Sequence, residues 1–259
     1  INWDHNYNLY LTGETNGNVL FYNGKLGVFR FLKNGGTFDY NVGLGAKLSL
    51  SGGLYTLRYD TGKIYSFGAN KKISKIQDGY GDLFSFSYTN DLLTQVTDSL
   101  GRAVTYTYYP HNRLKEVMDF SGRTVDFHYY DGGSASGSIY DLQDIQINNG
   151  TGNTKIIQFL YSTGGDDISN HNITKLIDSK GQTYVENTYE SDRVKTQKYG
   201  TGTITYAYTL SGGTVAQNSV IDRLGNQTDY FYDASGNQIE LRQHTATGTM
   251  SYMYSYSTG

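Results

Sequence analysis

Asp98, Asp119, Asp178, Asp222 and Asp233 each stand three residues before a glycine. Carboxylates held in pairs are the machinery of glycoside hydrolysis, so a recurring acidic position raises that chemistry. The repetition argues against it. An Asp side chain bonds its own backbone two residues on, and a glycine accepts positive φ, so Asp-x-x-Gly is turn chemistry. Catalysis has no use for five copies. Asp98 with Gly101, Asp119 with Gly122, Asp178 with Gly181 and Asp222 with Gly225 are therefore read as structural turns.

The other reactive types are scattered. His5, His111, His128, His171 and His244 show no His-x-x-x-His spacing. His128 alternates with the aromatics of its strand, so it is expected on the opposite face beside Asp126, as a solvated cross-strand partner. Asp166-Asp167 follows Gly164-Gly165, and carboxylates in a glycine-rich loop suit calcium. The alternating Asp-x-Asp-x-Asp pattern is missing, so a polar loop is expected. With no cysteine there are no disulfides and no cysteine-rich zinc sites. No Gly-x-Ser-x-Gly elbow, P-loop or dinucleotide fingerprint occurs. No catalytic, cofactor-binding or metal-binding residue is expected, and the chain is expected not to be an enzyme.

Only 17% of the residues are charged, the net charge is −3, and Lys and Arg are scattered along the chain. That speaks against nucleic acid as a partner. No apolar run approaches the roughly 20 residues of a membrane helix, so no membrane insertion is expected. The opening Ile1-Asn2-Trp3 and the strand-like close Ser251–Tyr256 read as cuts through a longer protein or as processed ends.

The elements that would position these residues are strands. Ile73–Leu92, Leu93–Arg113, Leu114–Gly133 and Ile173–Arg193 are versions of one line of text. Asp78, Asp98 and Asp119 are spaced by 20 and 21 residues. After each turn glycine, apolar residues alternate with polar ones, the period of a strand with one apolar face. The first lies three positions after the glycine: Phe84, Phe86 and Tyr88; Val104, Tyr106 and Tyr108; Val125, Phe127 and Tyr129; Thr228, Tyr230 and Tyr232. Ile204, Tyr206 and Tyr208 keep the rhythm after an eroded turn. In the unit at Ile173, Tyr184, Glu186 and Thr188 fall on the expected face. Either Val185 and Tyr189 replace them through a one-residue bulge, or the strand is partly polar. The aromatic ladder of Phe84, Phe86, Tyr88, Tyr106, Tyr108, Phe127, Tyr129, Tyr206, Tyr208, Tyr230 and Tyr232 is expected on one sheet face. Rings in such a ladder pack across strands. A sugar-stacking surface is the rival reading, better suited to Tyr109, Tyr130 and Tyr252, which lie off the pattern.

No apolar period of 3.6 residues persists beyond two turns, so almost no helix is expected. Residues 1–72 lack the Asp-x-x-Gly period but hold strand text broken by Asn23-Gly24 and Asn34-Gly35-Gly36, both hairpin signals. They are read as an N-terminal β region leading into a hairpin array over 73–259, with a degenerate insertion around 134–172.

Val96-Thr-Asp98-Ser-Leu-Gly101-Arg102, Val117-Met-Asp119-Phe-Ser-Gly122-Arg123 and Tyr232-Asp233-Ala-Ser-Gly236-Asn237 resemble the Rhs/YD-repeat family: bacterial Rhs proteins, toxin-complex B and C components, and teneurins. The resemblance implies an all-β array of hairpins forming one long curved sheet, a β-solenoid-like open spiral or part of a hollow shell. In the family such a shell encloses a polypeptide, often a toxin, and commonly ends in an autoproteolytic core with Asp-Pro. This chain has no Asp-Pro, and about eight hairpins are too few to close a family-size shell. The expectation is a non-catalytic wall segment that encloses or presents another polypeptide, extracellular or at a cell surface. Its partners would be other YD-repeat segments, or copies of itself joined through strand edges, and an enclosed toxin. The alternative is an adhesive or filament-forming surface protein built by strand-edge assembly, since unpaired edges template pairing.

Overall fold

The structure is a computed structural model that describes residues 5–150, 152–166 and 169–255. Among these the regular structure is strand, as the alternation predicts. Among the described residues there is no α-helix, and the one helical turn is a 3-10 turn at Pro110–Asn112. The chain divides into two compact units, Ile1–Val125 and Asp126–Gly259, with the strand Thr124–Tyr129 carrying the division.

In the first unit eight consecutive strands, from Ala46–Ser51 to Arg113–Met118, pair antiparallel, each with the next. The sheet runs through position 72: Ile64–Phe67 pairs with Ile73–Asp78. The change at 72/73 is thus a change of turn motif within one sheet. Ahead of it, Leu9–Gly13, Val19–Asn23 and Val28–Phe31 form a separate three-stranded sheet, and Lys33–Asn34 pairs with Thr37–Phe38. The Asn23-Gly24 and Gly35-Gly36 turns close these hairpins. The three-stranded sheet is a second layer. Its Leu9, Leu11, Val19, Phe21 and Phe31 join Leu57, Phe67, Ile73, Phe86, Val96 and Tyr106 in one buried cluster. Phe21 meets Phe67 edge to face at 6.0 Å, a preferred aromatic geometry.

In the second unit ten consecutive strands, from Leu142–Asn148 to Gly248–Met253, pair antiparallel in the same way. Its buried cluster is small: Tyr130, Leu142, Phe159 and Tyr161, with Phe127 and Tyr129 against it. Among the described residues no hydrophobic side chain beyond Val185 is buried. The 134–172 insertion is two long loops flanking the strands Leu142–Asn148 and Thr154–Tyr161. The first loop bonds to the end of the second strand and to the second loop: Tyr161 N–H donates to Ser136 O at 2.8 Å, and Thr163 Oγ1 to Ala135 O.

Candidate functional site

The repeated positions come first, because they are what this sequence offers in many copies. At Asp98 the backbone closes a five-residue loop, with Asp98 N–H to Arg102 O and Gly101 N–H to Asp98 O. Asp98 Oδ1 accepts from the N–H groups of Leu100 and Arg102, both at 2.9 Å. Its Oδ2 accepts from Arg102 Nε at 2.7 Å. Asp119, Asp178, Asp222 and Asp233 repeat the two Oδ1 bonds. Gly101 and Gly122 have φ of 80° and 82°. Nothing lies within 4 Å of where a Cβ would sit at either, so the left-handed backbone alone requires glycine.

The carboxylates of Asp98, Asp119, Asp222 and Asp233 are held ionised. Partial desolvation pushes Asp98 up but is outweighed by hydrogen bonds from Arg102 and Leu100. At Asp119 the Ser121 hydroxyl and then Arg123 hold the carboxyl well below its usual range. Asn226 and Asn237 side chains do the same for Asp222 and Asp233. Their lone pairs are spent on the turn, which is a structural use.

Two details depart from a uniform repeat. Asp78 turns in two residues, Gly79-Tyr80, with Gly81 opposite Asp78. A register shift then restores the pattern, so Phe84 faces Ile76 as Val104 faces Val96. Asp222 and Asp233 do not occupy equivalent places, although both carry the motif. They bracket the single strand Gln227–Tyr232 and so cap turns at opposite edges of the sheet.

The ladder falls within both units. Phe86 lies opposite Val96, Val96 opposite Val104, and Tyr106 opposite Val117, all in or against the first core. Phe84, Tyr88 and Tyr108 pack against the same cluster. In the second unit Ile204, Tyr206 and Tyr208 are half-buried and alternate with exposed residues. Tyr230 and Tyr232 are also half-buried. At Ile173 the bulge alternative is the one adopted. Leu176 pairs with Val185 after a register shift, which places Val185 in the interior and Tyr184 outside.

A feature the pattern reading missed recurs beside the ladder. Apart from the shifts after the Asp78 and Asp178 turns, seven strand pairs carry a register shift beside the loop that joins them. The residue at each shift is Phe67, Tyr88, Tyr108, Tyr161, Tyr189, Leu210 or Tyr232. One extra residue enters the outgoing strand each time. At two of them the tyrosine hydroxyl donates to the carbonyl of the strand entry, Tyr108 to Leu93 and Tyr189 to Ile173, both at 2.8 Å. Tyr208, two residues before the shift at Leu210, donates in the same way to Val194 O at 3.1 Å. The signal was present. Leu93 and Val96, like Ile73 and Ile76, are apolar residues three apart, and on a strand they share a face only if one residue is bulged.

Of the off-pattern tyrosines, Tyr130 is not a surface residue. It is 8% exposed, and its hydroxyl donates to Phe159 O at 3.0 Å. Tyr252 is exposed, and Tyr109 is half-buried under the Lys115 ammonium.

The opposite face of the second unit is polar. His128 Nδ1 lies 2.8 Å from Asp144 Oδ1, and Asp126 accepts from Asn148 Nδ2 at 2.7 Å. His171 Nδ1 lies 2.7 Å from Asp141 between the two long loops. The buried Asp229 accepts from Gln227 Nε2 at 2.9 Å and pairs with His244 Nε2 at 2.8 Å, while His244 Nδ1 lies 3.3 Å from Thr249 Oγ1. Desolvation pushes Asp229 up, but hydrogen bonds from Gln227, Ser219 and His244 outweigh it and hold it ionised. This carboxylate–imidazole–hydroxyl order resembles a hydrolase relay. Here it links three neighbouring strands side by side, and two grooves, around Tyr80–Ser85 and between Tyr208 and Tyr232, lie elsewhere. Asp166 Oδ1 accepts from Ser169 N–H at 2.8 Å. Asp167 lies outside the described residues. Among the described residues no group of three His, Asp or Glu side chains could hold a metal, and no helix is long and apolar enough to cross a membrane.

No family model matches this chain, and no curated protein does. Among solved structures, a chain in "Crystal Structure of TcdB2-TccC3-TEV" is similar at a TM-score of 0.27 and 9% identity. The match covers 89% of this chain and 15% of that one. At that TM-score the likeness carries no assignment.

Proposed function

We propose that this chain is a non-catalytic wall segment of a YD-repeat array, whose aromatic face takes another polypeptide as its cover. One contrast carries the reading. In the first unit the aromatic face is sealed by a second β layer, residues 9–31, and Tyr106 is 8% exposed. In the second unit Tyr206, Tyr208, Tyr230 and Tyr232 stand on the same kind of face half-buried. A face of this composition gains by burial at about 25 cal/mol per Å² of apolar area. The cover that fits is apolar polypeptide, as in the first unit. The resemblance of the Asp-x-x-Gly units to the Rhs/YD-repeat family favours the same role and an extracellular or cell-surface setting. The turn carboxylates are committed to backbone N–H groups, which supports a structural use and no cofactor.

The test is binding of a fluorophore-labelled, reduced and alkylated polypeptide that cannot refold, followed by anisotropy. Binding that drops on Tyr206→Ser with Tyr230→Ser supports the reading. Binding indifferent to both, or turnover of a glycan, ester or peptide panel abolished by Asp229→Asn, overturns it. Growth of the unliganded protein into polymers would favour strand-edge assembly instead.

A further inference from the structure

The hairpin Thr183–Glu190 and Arg193–Tyr199 is closed at one end by the Ser191-Asp192 turn. At its open end stand two tyrosines. The bulge that sends Val185 inward leaves Tyr184 outside, and Tyr199 pairs opposite Val185. Tyr184 and Tyr199 are 50% and 43% exposed. Their ring centroids are 4.5 Å apart at 68°, and the Tyr199 hydroxyl donates to the Tyr184 hydroxyl. The hydroxyl contact and the 4.5 Å ring spacing hold the two phenols close together at their hydroxyl ends.

We propose that Tyr184 and Tyr199 form an oxidative cross-linking site, joined as dityrosine by a peroxidase-class oxidant using hydrogen peroxide. Each phenol loses its O–H hydrogen, the electron to the oxidant and the proton to water. The two radicals join through one carbon–carbon bond between ortho carbons. Each coupling carbon then passes its hydrogen to its own oxygen, restoring two phenols. The two electrons and two protons reduce one hydrogen peroxide to two waters.

Other tyrosine pairs are placed less well. Tyr59 and Tyr65 are half-buried at 5.0 Å. Tyr10 and Tyr22 stack at 4.4 Å and 5°, face on face and half-buried. The Tyr184–Tyr199 pair alone among these is open to an external oxidant. The chain has 26 tyrosines and no cysteine, so this is a covalent staple its composition allows. Closing the open end of a hairpin removes freedom from the unfolded chain.

The experiment treats the full chain with horseradish-type peroxidase and hydrogen peroxide, isolates the monomer and maps linked peptides by mass spectrometry. The expected result is dityrosine fluorescence in the monomer, a linked pair of peptides carrying Tyr184 and Tyr199 with two hydrogens lost, and an upward shift of the thermal midpoint. Tyr184→Phe and Tyr199→Phe, each checked for a wild-type circular dichroism spectrum, lose that link, while Tyr206→Phe keeps it. A link that maps to Tyr10–Tyr22 or any other pair, cross-links between molecules only, or full yield in either Phe variant overturns the proposal.

Discussion

The Tyr108 hydroxyl donates to the carbonyl of Leu93 at 2.8 Å, and Tyr108 itself sits at a register shift opposite Leu114. The shift and the bond belong together. The extra residue, Lys115, opens the ladder beside the tight turn, and the tyrosine returns one tie to the entry of the preceding strand. Tyr108→Phe keeps the ring and removes only that bond, so it is expected to cost about 1 kcal/mol, the net worth of one hydrogen bond. Urea unfolding followed by fluorescence measures it. A loss near zero would mean that Leu93 O finds water equally well.

The turn glycines give a sharper contrast. Gly101 has φ of 80°, and the space around it is empty. A side chain there meets only the left-handed backbone penalty, about 1–2 kcal/mol. Gly101→Ala is expected to lose that much, and Gly101→Val more, because a β-branched residue tolerates the region least. Ser99→Ala in the same exposed turn is expected to stay within about 0.5 kcal/mol of wild type. Denaturant midpoints of the three variants decide the matter, and equal effects would mean the turn has been misread.

Strand and turn were legible because each has a local cause. Asp bonding its own backbone and Gly at positive φ act within five residues, and period-2 alternation acts within seven. What was not legible depended on partners far along the chain. Tyr130 reads as a stray surface ring, and it is buried because a loop folds back over it: its ring lies so close to Gly137 that no Cβ fits there. Asp222 and Asp233 carry the same motif, but the edge each one caps follows from the strand count between them. The choice at Ile173 between a bulge and a polar strand stayed open in the sequence, since both satisfy local chemistry. Burial of Val185 decides it. The Asp229–His244–Thr249 chain was invisible for the same reason: its members are neighbours only across strands.

Acid should loosen the turns. Asp119, Asp98, Asp222 and Asp233 are all held below the ordinary carboxylate value of 3.8 in the folded chain. A depressed folded value means that the stabilisation is complete above the unfolded value. It is lost as pH falls through about 4 and below, because the unfolded chain binds the proton first. Thermal midpoints between about pH 6 and pH 2 are expected to fall, and Asp119→Asn to flatten part of that fall. Arg102 and Arg123 share in this through hydrogen bonds, but both are exposed, and the purely coulombic part of a surface ion pair is small. Raising the salt concentration is therefore expected to leave the acid transition nearly in place. A midpoint that tracks salt more than pH would assign the turns to charge pairing and not to capping.

Tyr106 and Tyr206 occupy equivalent places. Tyr106 lies opposite Val117, two residues before Asp119, and Tyr206 lies opposite Val220, two residues before Asp222. Their surroundings differ. Tyr106 is 8% exposed in a core sealed by a second layer, where His5 stacks on it at 6.1 Å. Tyr206 is half-buried in a single layer. Tyr106→Ala leaves a cavity and is expected to cost about 3–5 kcal/mol, as for large aromatics in cores. Tyr206→Ala removes a cross-strand neighbour only and is expected to cost about 1 kcal/mol or less. The same pair separates stability from binding. Tyr206→Ala should weaken capture of the unfolded polypeptide probe at little cost to the fold, whereas Tyr106→Ala should do the reverse. Equal stability losses would mean that Tyr206 is packed as deeply as Tyr106, leaving no open aromatic face to present.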